Sequence, residues 1–169
     1  VINPQADIAA CQSYTLPAIT GTNLAGNERY YTQPNGGGSM LPVGSTITNS
    51  QLIYIYGGQA GCSDEESFQI SIQTPLLAGT DNQANYCGPG VNLNLNTILS
   101  SNASLGGTWT ETSAQPSGVF NAATGVLSSS LLTGAGNYTF TYTTATNGSC
   151  TGDIANFTIN FGDFPQVNI

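Results

Sequence analysis

The chain has no histidine, no lysine and a single arginine, Arg29. Without histidine the usual general base is gone, and with it the Ser-His-Asp and Cys-His arrangements. Without lysine there is no Schiff-base chemistry, and one arginine builds no phosphate clamp. One cation also makes no basic surface, which excludes nucleic acid and anionic lipid as partners. Charged residues are 6% of the 169, and the net charge is −8. Cytosolic proteins rarely dispense with lysine, so the composition favours an external location. No apolar run approaches the roughly 20 residues of a membrane-spanning helix, so no membrane insertion is expected. There is no start methionine and no basic segment leading into an apolar stretch. The chain therefore reads as a mature form or a slice of something longer.

Helical periodicity is nearly missing, and strand alternation takes its place. Disorder usually needs low hydrophobicity and high charge; here 39% of residues are hydrophobic, and they alternate. Strands are expected at Ile8–Leu16, Glu28–Thr32, Ser45–Ile47, Gln51–Tyr56 and Ser67–Ile72. A second set is expected at Val91–Leu95, Gly107–Glu111, Val126–Leu127, Gly136–Thr144 and Asp153–Phe161. Turn chemistry separates them: Pro34-Asn35-Gly36-Gly37-Gly38, Gly57-Gly58 and Asn147-Gly148. Asn147-Gly148, between two strong alternating runs, is the clearest hairpin signal. Short strands with Gly/Asn turns indicate all-β sandwiches.

The two halves repeat a layout. Tyr54-Ile55-Tyr56, then Cys62, then Phe68-x-Ile70-x-Ile72 closes the first. Tyr138-Thr139-Phe140-Thr141-Tyr142, then Cys150, then Phe157-x-Ile159-x-Phe161 closes the second. Pro75 marks the boundary, giving modules at 1–74 and 75–169. The tail 162–169, with Asp163-Phe164-Pro165-Gln166-Val167-Asn168, echoes the opening Val1–Asp7 and reads as a lead-in to a next repeat.

Four cysteines allow three connectivities, and the sequence does not choose between them. Module logic favours Cys11–Cys62 and Cys87–Cys150, one bridge per module, each tying an early strand to the final hairpin. Zinc sites usually show closely spaced cysteine pairs, which these four lack. A cysteine nucleophile would have no histidine to activate it. A glycosidase needs two acids across a deep cleft, which modules this small rarely build.

The densest acidic run is Asp64-Glu65-Glu66. The bland reading is a solvated hairpin tip. The sharper one is a calcium site, Asp64, Glu65, Glu66 and Asp81, with Asp7 and Asn82 as further oxygen donors. No other cofactor is implied. Tyr30, Tyr31, Tyr54, Tyr56, Tyr138, Tyr142 and Trp109 could form a sugar-stacking platform, but such residues more often fill cores and line sheet rims. Trp109, within Gly106-Gly107-Thr108-Trp109-Thr110, reads as a core plug. Thr139, Thr141 and Thr143 would line one face of a strand, as high β propensity allows.

The first module resembles a repeat of giant surface proteins of gliding Bacteroidetes. The matching text is Cys11-Gln-Ser-Tyr14-Thr-Leu16-Pro17-Ala-Ile19-Thr-Gly21, then Tyr30-Tyr31-Thr, Gly44-x-x-Ile47-Thr, Leu52-Ile-Tyr54-Ile-Tyr56 and Cys62-x-Asp64-Glu65-x-x-Phe68. The second resembles a companion Ig-like type through Gly106-Gly107-Thr-Trp109-Thr, Gly118-x-Phe120-Asn121, Gly125, Ala135-Gly136-Asn-Tyr138-Thr-Phe140-Thr-Tyr142 and Cys150. Such repeats are similar to those of flavobacterial gliding-motility adhesins of the SprB type. The resemblance implies two tandem Ig-like β-sandwich domains in an elongated arrangement, export by the type IX secretion route and display on an outer-membrane-attached parent protein. It also implies a non-catalytic part in surface attachment and gliding, with neighbouring repeats of the same chain as partners. The alternative is a carbohydrate-binding module, calcium-dependent or not, whose partner is a polysaccharide or a solid surface.

Overall fold

A computed structural model of the chain describes residues 1–59, 61–87, 92–132 and 135–162. The expected start of a strand at Val91 and the echo in the tail after Gly162 lie outside these. The chain divides into two compact units: Val1–Pro75 with Asn147–Cys150, and Leu76–Thr146 with the residues from Thr151 onward.

The first unit holds β1 (Ile8–Cys11), β2 (Tyr14–Thr15), β3 (Arg29–Gln33), β4 (Gly37–Leu41), β5 (Thr46–Ile47), β6 (Gln51–Gln59) and β7 (Cys62–Gln73). One sheet has the order β1-β7-β6-β3-β4, and β2 pairs with β5 in a second small sheet. The long strand expected over Ile8–Leu16 is broken in two. Gln12 stands at φ 65°, and the Ser13 N–H donates back to the Cys11 carbonyl at 2.7 Å. This left-handed residue carries the chain from one sheet to the other. Asn35 and Gly36 both have positive φ, 57° and 68°, as a type I′ hairpin turn demands. β4 follows at once; its Gly-Gly-Ser text gives no apolar alternation, and it pairs only with β3 at the sheet edge.

Alternation builds the core. Ile53 and Ile55 of β6 and Phe68 and Ile70 of β7 point inward with Ile2, Leu16, Tyr30 and Ile47, and Ile53 lies opposite Phe68 in the ladder. Tyr30 is fully buried and donates its hydroxyl to the Pro17 carbonyl at 3.1 Å. Burial pushes its phenol pKa up.

The second unit holds β8 (Asn82–Cys87), β9 (Asn92–Asn94), β10 (Thr108–Glu111), β11 (Phe120–Asn121), β12 (Val126–Ser128), β13 (Gly136–Thr143) and β14 (Ile154–Gly162), with short 3-10 turns at Leu95–Ile98 and Ser129–Leu131. Its sheets have the orders β10-β13-β14-β8 and β11-β12-β9. Phe140 faces Phe157 and Trp109 faces Tyr142 across the ladders. Trp109 is 3% exposed, its ring 4.9 Å from both Tyr142 and Phe157, and its indole N–H donates to Asn96 Oδ1 at 2.9 Å. The core-plug reading of Trp109 therefore holds. Both units are all-β, Ig-like sandwiches.

The two larger sheets share a plan. β1-β7-β6-β3 and β8-β14-β13-β10 match position for position, and in each the first strand runs parallel to the last.

Candidate functional site

The cysteine pairing departs from the one expected. Cys11 is bonded to Cys150, with Cα atoms 4.8 Å apart, while Cys62 and Cys87 are exposed free thiols. One bridge per module is thus not what the structure holds. The reason is strand direction. β1 runs parallel to β7 and Cys11 sits opposite Gln73, the last residue of β7. Cys62 is the first residue of β7, roughly 36 Å away at ~3.3 Å per residue. A disulfide needs Cα atoms within about 7 Å. Parallel pairing puts an early cysteine and a hairpin cysteine of one unit at opposite ends of the sheet.

What reaches Cys11 is the turn Asn147–Cys150, which joins β13 to β14 and belongs to the first unit. The expected Asn147-Gly148 turn is present, with Asn147 and Cys150 exchanging backbone hydrogen bonds at 3.0 Å. The Ser149 N–H donates to Gln73 Oε1 at 2.6 Å and its hydroxyl to the Ala9 carbonyl at 2.8 Å. The Asn147 amide donates to the Thr74 carbonyl at 2.8 Å. Gly148, at φ 57°, lies so close to the Gln73 amide that a Cβ would come within 2.2 Å of it. Cys150 is 1% exposed. Gln73 and Ser149 escaped sequence reasoning, because no pattern marks a lone Gln at a strand end as a clasp.

The first unit also carries a polar cleft of about 380 Å³, lined in part by Ile2, Glu28, Gly57, Cys62 and Asp64. Glu28 is nearly buried and accepts from the Ala25 N–H at 2.6 Å and the Gly26 N–H at 2.9 Å. Burial pushes its carboxyl up, but the backbone N–H groups of Glu28, Ala25 and Gly26 outweigh this and hold it below the ordinary carboxylate value. Gly57 packs on the Glu28 backbone, leaving 2.7 Å between a would-be Cβ and the Glu28 Cα.

The acids named as calcium ligands are spread out: Glu66 lies opposite Ile55 in the β6–β7 ladder, Asp81 also accepts from the Asn156 side-chain amide, and each of the others has a separate partner. Asp64 accepts from the Ile2 N–H at 2.6 Å, Glu65 from the Asn35 N–H, Asp7 from the Gln69 N–H at 2.8 Å, and Asp81 from the Asn156 N–H at 2.7 Å. Among the described residues no three acidic or cysteine side chains gather to hold a metal. Asp153 accepts from the N–H groups of Ala78 and Ile154, both at 2.9 Å, so it ties the start of β14 to a segment distant in sequence and is more than the local turn cap expected.

The aromatics are mostly interior or half-buried; the exposed large hydrophobics among the described residues are aliphatic or Met. A shallow polar groove of about 520 Å³ in the second unit is lined by Asp81, Asn82, Gln83, Asn156 and Thr158.

No protein-family profile matches the chain, and no curated protein sequence matches it. Among solved structures it is similar to an I-band fragment from titin, at 14% identity and a TM-score of 0.38, covering 96% of this chain and 65% of that one. A SusE-like surface-located polysaccharide-binding protein from the heparin utilisation locus of Bacteroides thetaiotaomicron matches at 13% identity and a TM-score of 0.33, over 99% of this chain and 35% of that one. Four extracellular cadherin domains of protocadherin gamma B7 match at 11% and 0.35, over 94% and 49%. The chain thus spans less than two thirds of each of these structures. At such TM-scores the likeness carries no argument about function, which rests on the residues themselves. Among the described residues, no helix is long and apolar enough to cross a membrane.

Proposed function

We propose that the chain is a non-catalytic, tension-bearing repeat fragment of a large extracellular surface adhesin. One observation carries this reading: in both units the first strand is paired in parallel with the last, β1 with β7 and β8 with β14. In a parallel pair, the entry of the first strand and the exit of the last lie at opposite ends of the ladder. The Cys11–Cys150 bond carries tension past these ladders while it is intact; once it is opened, tension along the chain shears every rung together instead of peeling them one at a time. The Cys11–Cys150 bond supports the reading in two ways. It gives a covalent path past the 138 residues between the two cysteines, and disulfides persist in oxidising, external compartments. The scarcity of charge and the absence of histidine and lysine fit an inert thread. The resemblance to gliding-motility adhesin repeats supports placing that thread on a bacterial surface, in attachment and gliding, after type IX export.

The test is to pull a Cys11→Ser/Cys150→Ser variant in two geometries. Handles at the two chain ends load β1 against β7 in shear. Handles at the amino end and the exposed Cys62 thiol pull β1 and β7 from the same end and peel them. The shear geometry is expected to need a several-fold higher force; equal forces would sink the reading.

A second reading, carbohydrate binding, has the groove of Asp81, Asn82, Gln83, Asn156 and Thr158 in its favour, since amides and hydroxyls suit sugar hydroxyls. Binding to a glycan panel with calcium and with EDTA tests it.

A further inference from the structure

We propose that Asn35 is a site of spontaneous covalent modification: the Gly36 nitrogen closes on the Asn35 side chain, and water opens the ring to an aspartyl or isoaspartyl residue. The inference goes beyond the mechanical reading and does not rest on it.

The sequence holds two Asn-Gly pairs, Asn35-Gly36 and Asn147-Gly148. Asparagine is among the thermolabile residues, because its side-chain carbonyl carbon can form a five-membered ring with the next backbone nitrogen. Glycine is the least hindered residue to follow it, since no Cβ blocks the approach. By sequence the two pairs are alike. The structure separates them.

Asn35 is exposed at the tip between β3 and β4. The Gly37 N–H donates to the Pro34 carbonyl at 3.0 Å, and the Asn35 backbone N–H donates to a Glu65 carboxylate oxygen. Neither bond uses a reacting group. Among the described residues, no hydrogen bond holds the Asn35 side-chain amide or the Gly36 N–H. Beyond the tip, β4 is an edge strand paired with β3 alone.

Asn147 is half-buried, and its side-chain amide donates to the Thr74 carbonyl at 2.8 Å. Two backbone bonds of 3.0 Å with Cys150 close its turn, and Ser149 ties that turn to Gln73 and Ala9. Gly148 is packed against the Gln73 side chain, and Cys150 is bonded to Cys11. Ring closure there would break the Thr74 bond and distort a turn that the disulfide seals.

The reaction balances with water as its only co-reactant. The Gly36 nitrogen gives up its proton and attacks Asn35 Cγ. The bond from Cγ to the side-chain nitrogen breaks, that nitrogen leaves with a proton as ammonia, and a succinimide remains. Water adding at Cγ restores the backbone and leaves an aspartyl side chain. Water adding at the Asn35 backbone carbonyl leaves an isoaspartyl link, which lengthens the backbone by one carbon. Either product puts a new carboxylate beside Glu65, which accepts the Asn35 N–H. The longer link also misfits the tip, where Gly36 packs so closely on Tyr56 that a Cβ would come within 3.0 Å of the ring.

The test is to age the full oxidised chain in heavy-oxygen water at mildly alkaline pH and map its peptides by mass. Isoaspartyl methyltransferase labelling distinguishes the two products. Label should enter at Asn35 several-fold faster than at Asn147, with both aspartyl and isoaspartyl forms present. In the chain unfolded by urea and reductant, the two sites should react at similar rates, which shows that the fold protects Asn147. Equal rates in the folded chain, the same preference for Asn35 after unfolding, or no isoaspartyl product at Asn35 would each overturn the proposal. None of these results touches the shear reading, which the pulling geometries test separately.

Discussion

Cys11 and Cys150 are separated by 139 positions in the sequence, yet their Cα atoms lie 4.8 Å apart. The bond seals a turn that Gln73, Thr74 and Ala9 already hold by hydrogen bonds. A short clasp of polar contacts would hold only weakly in water, at about 1 kcal/mol net for each bond. The disulfide makes the clasp permanent.

Removing it should destabilise the first unit. The chain-entropy model gives about 5 kcal/mol for a loop of this length, and less where the loop stays folded. Cys11→Ser and Cys150→Ser should lower the midpoint of the first unit by about 10 °C or more, and by equal amounts. Cys62→Ser should leave it unchanged. Calorimetry with and without reductant checks all three.

Trp109 is the lone tryptophan, buried between Tyr142 and Phe157. Its emission should be blue-shifted and should report unfolding of the second unit alone. Phe157→Ala should cost about 3–5 kcal/mol, read as an earlier fluorescence transition in urea. The Cys11→Ser variant should move this transition far less than it moves the first unit.

Glu28 makes the first unit acid-sensitive. Its folded pKa lies below the unfolded value of roughly 4.3–4.5, so the carboxylate stabilises the fold above that range. This contribution is lost as pH falls through the folded pKa. Urea midpoints of the first unit should hold from pH 7 to 5 and drop below pH 4. Glu28→Gln should be less stable at pH 7 and should flatten the drop. A wild-type and a variant curve of equal slope would contradict the role assigned to Glu28.

Gly57 admits no side chain over the Glu28 backbone. Gly57→Ala should therefore cost roughly 1–3 kcal/mol through forced backbone shifts, visible as a lower thermal midpoint of the first unit.

The sequence carried the all-β class plainly, because Ile53, Ile55, Phe68 and Ile70 alternate without interruption and so do Phe157, Ile159 and Phe161. β4 and β8 were not legible. Gly37–Leu41 and Asn82–Cys87 are edge strands, each held by one neighbour's ladder, and only Leu41 in the one and Ala84 and Tyr86 in the other reach a core. The break at Gln12 was hidden too, since a left-handed Gln carries no signature. The bridge was misjudged for a related reason. Alternation tells which face a residue takes but not which way a strand runs, and the direction of β1 against β7 decides what Cys11 can reach. The run Asp64-Glu65-Glu66, read as a solvated hairpin tip with a calcium site as the alternative, lies inside β7, where successive residues point to opposite faces.

The most direct test is the extension of single oxidised chains held at their two ends. With the Cys11–Cys150 bond intact, tension passes from residue 11 straight to residue 150. Full unfolding should then release only the short outer segments. Adding reductant should free a further 460–500 Å or so, at about 3.3–3.6 Å per residue over the 139-position separation. That step, absent before reduction and present after it, is the predicted result. The same full length released from the oxidised chain would contradict the account.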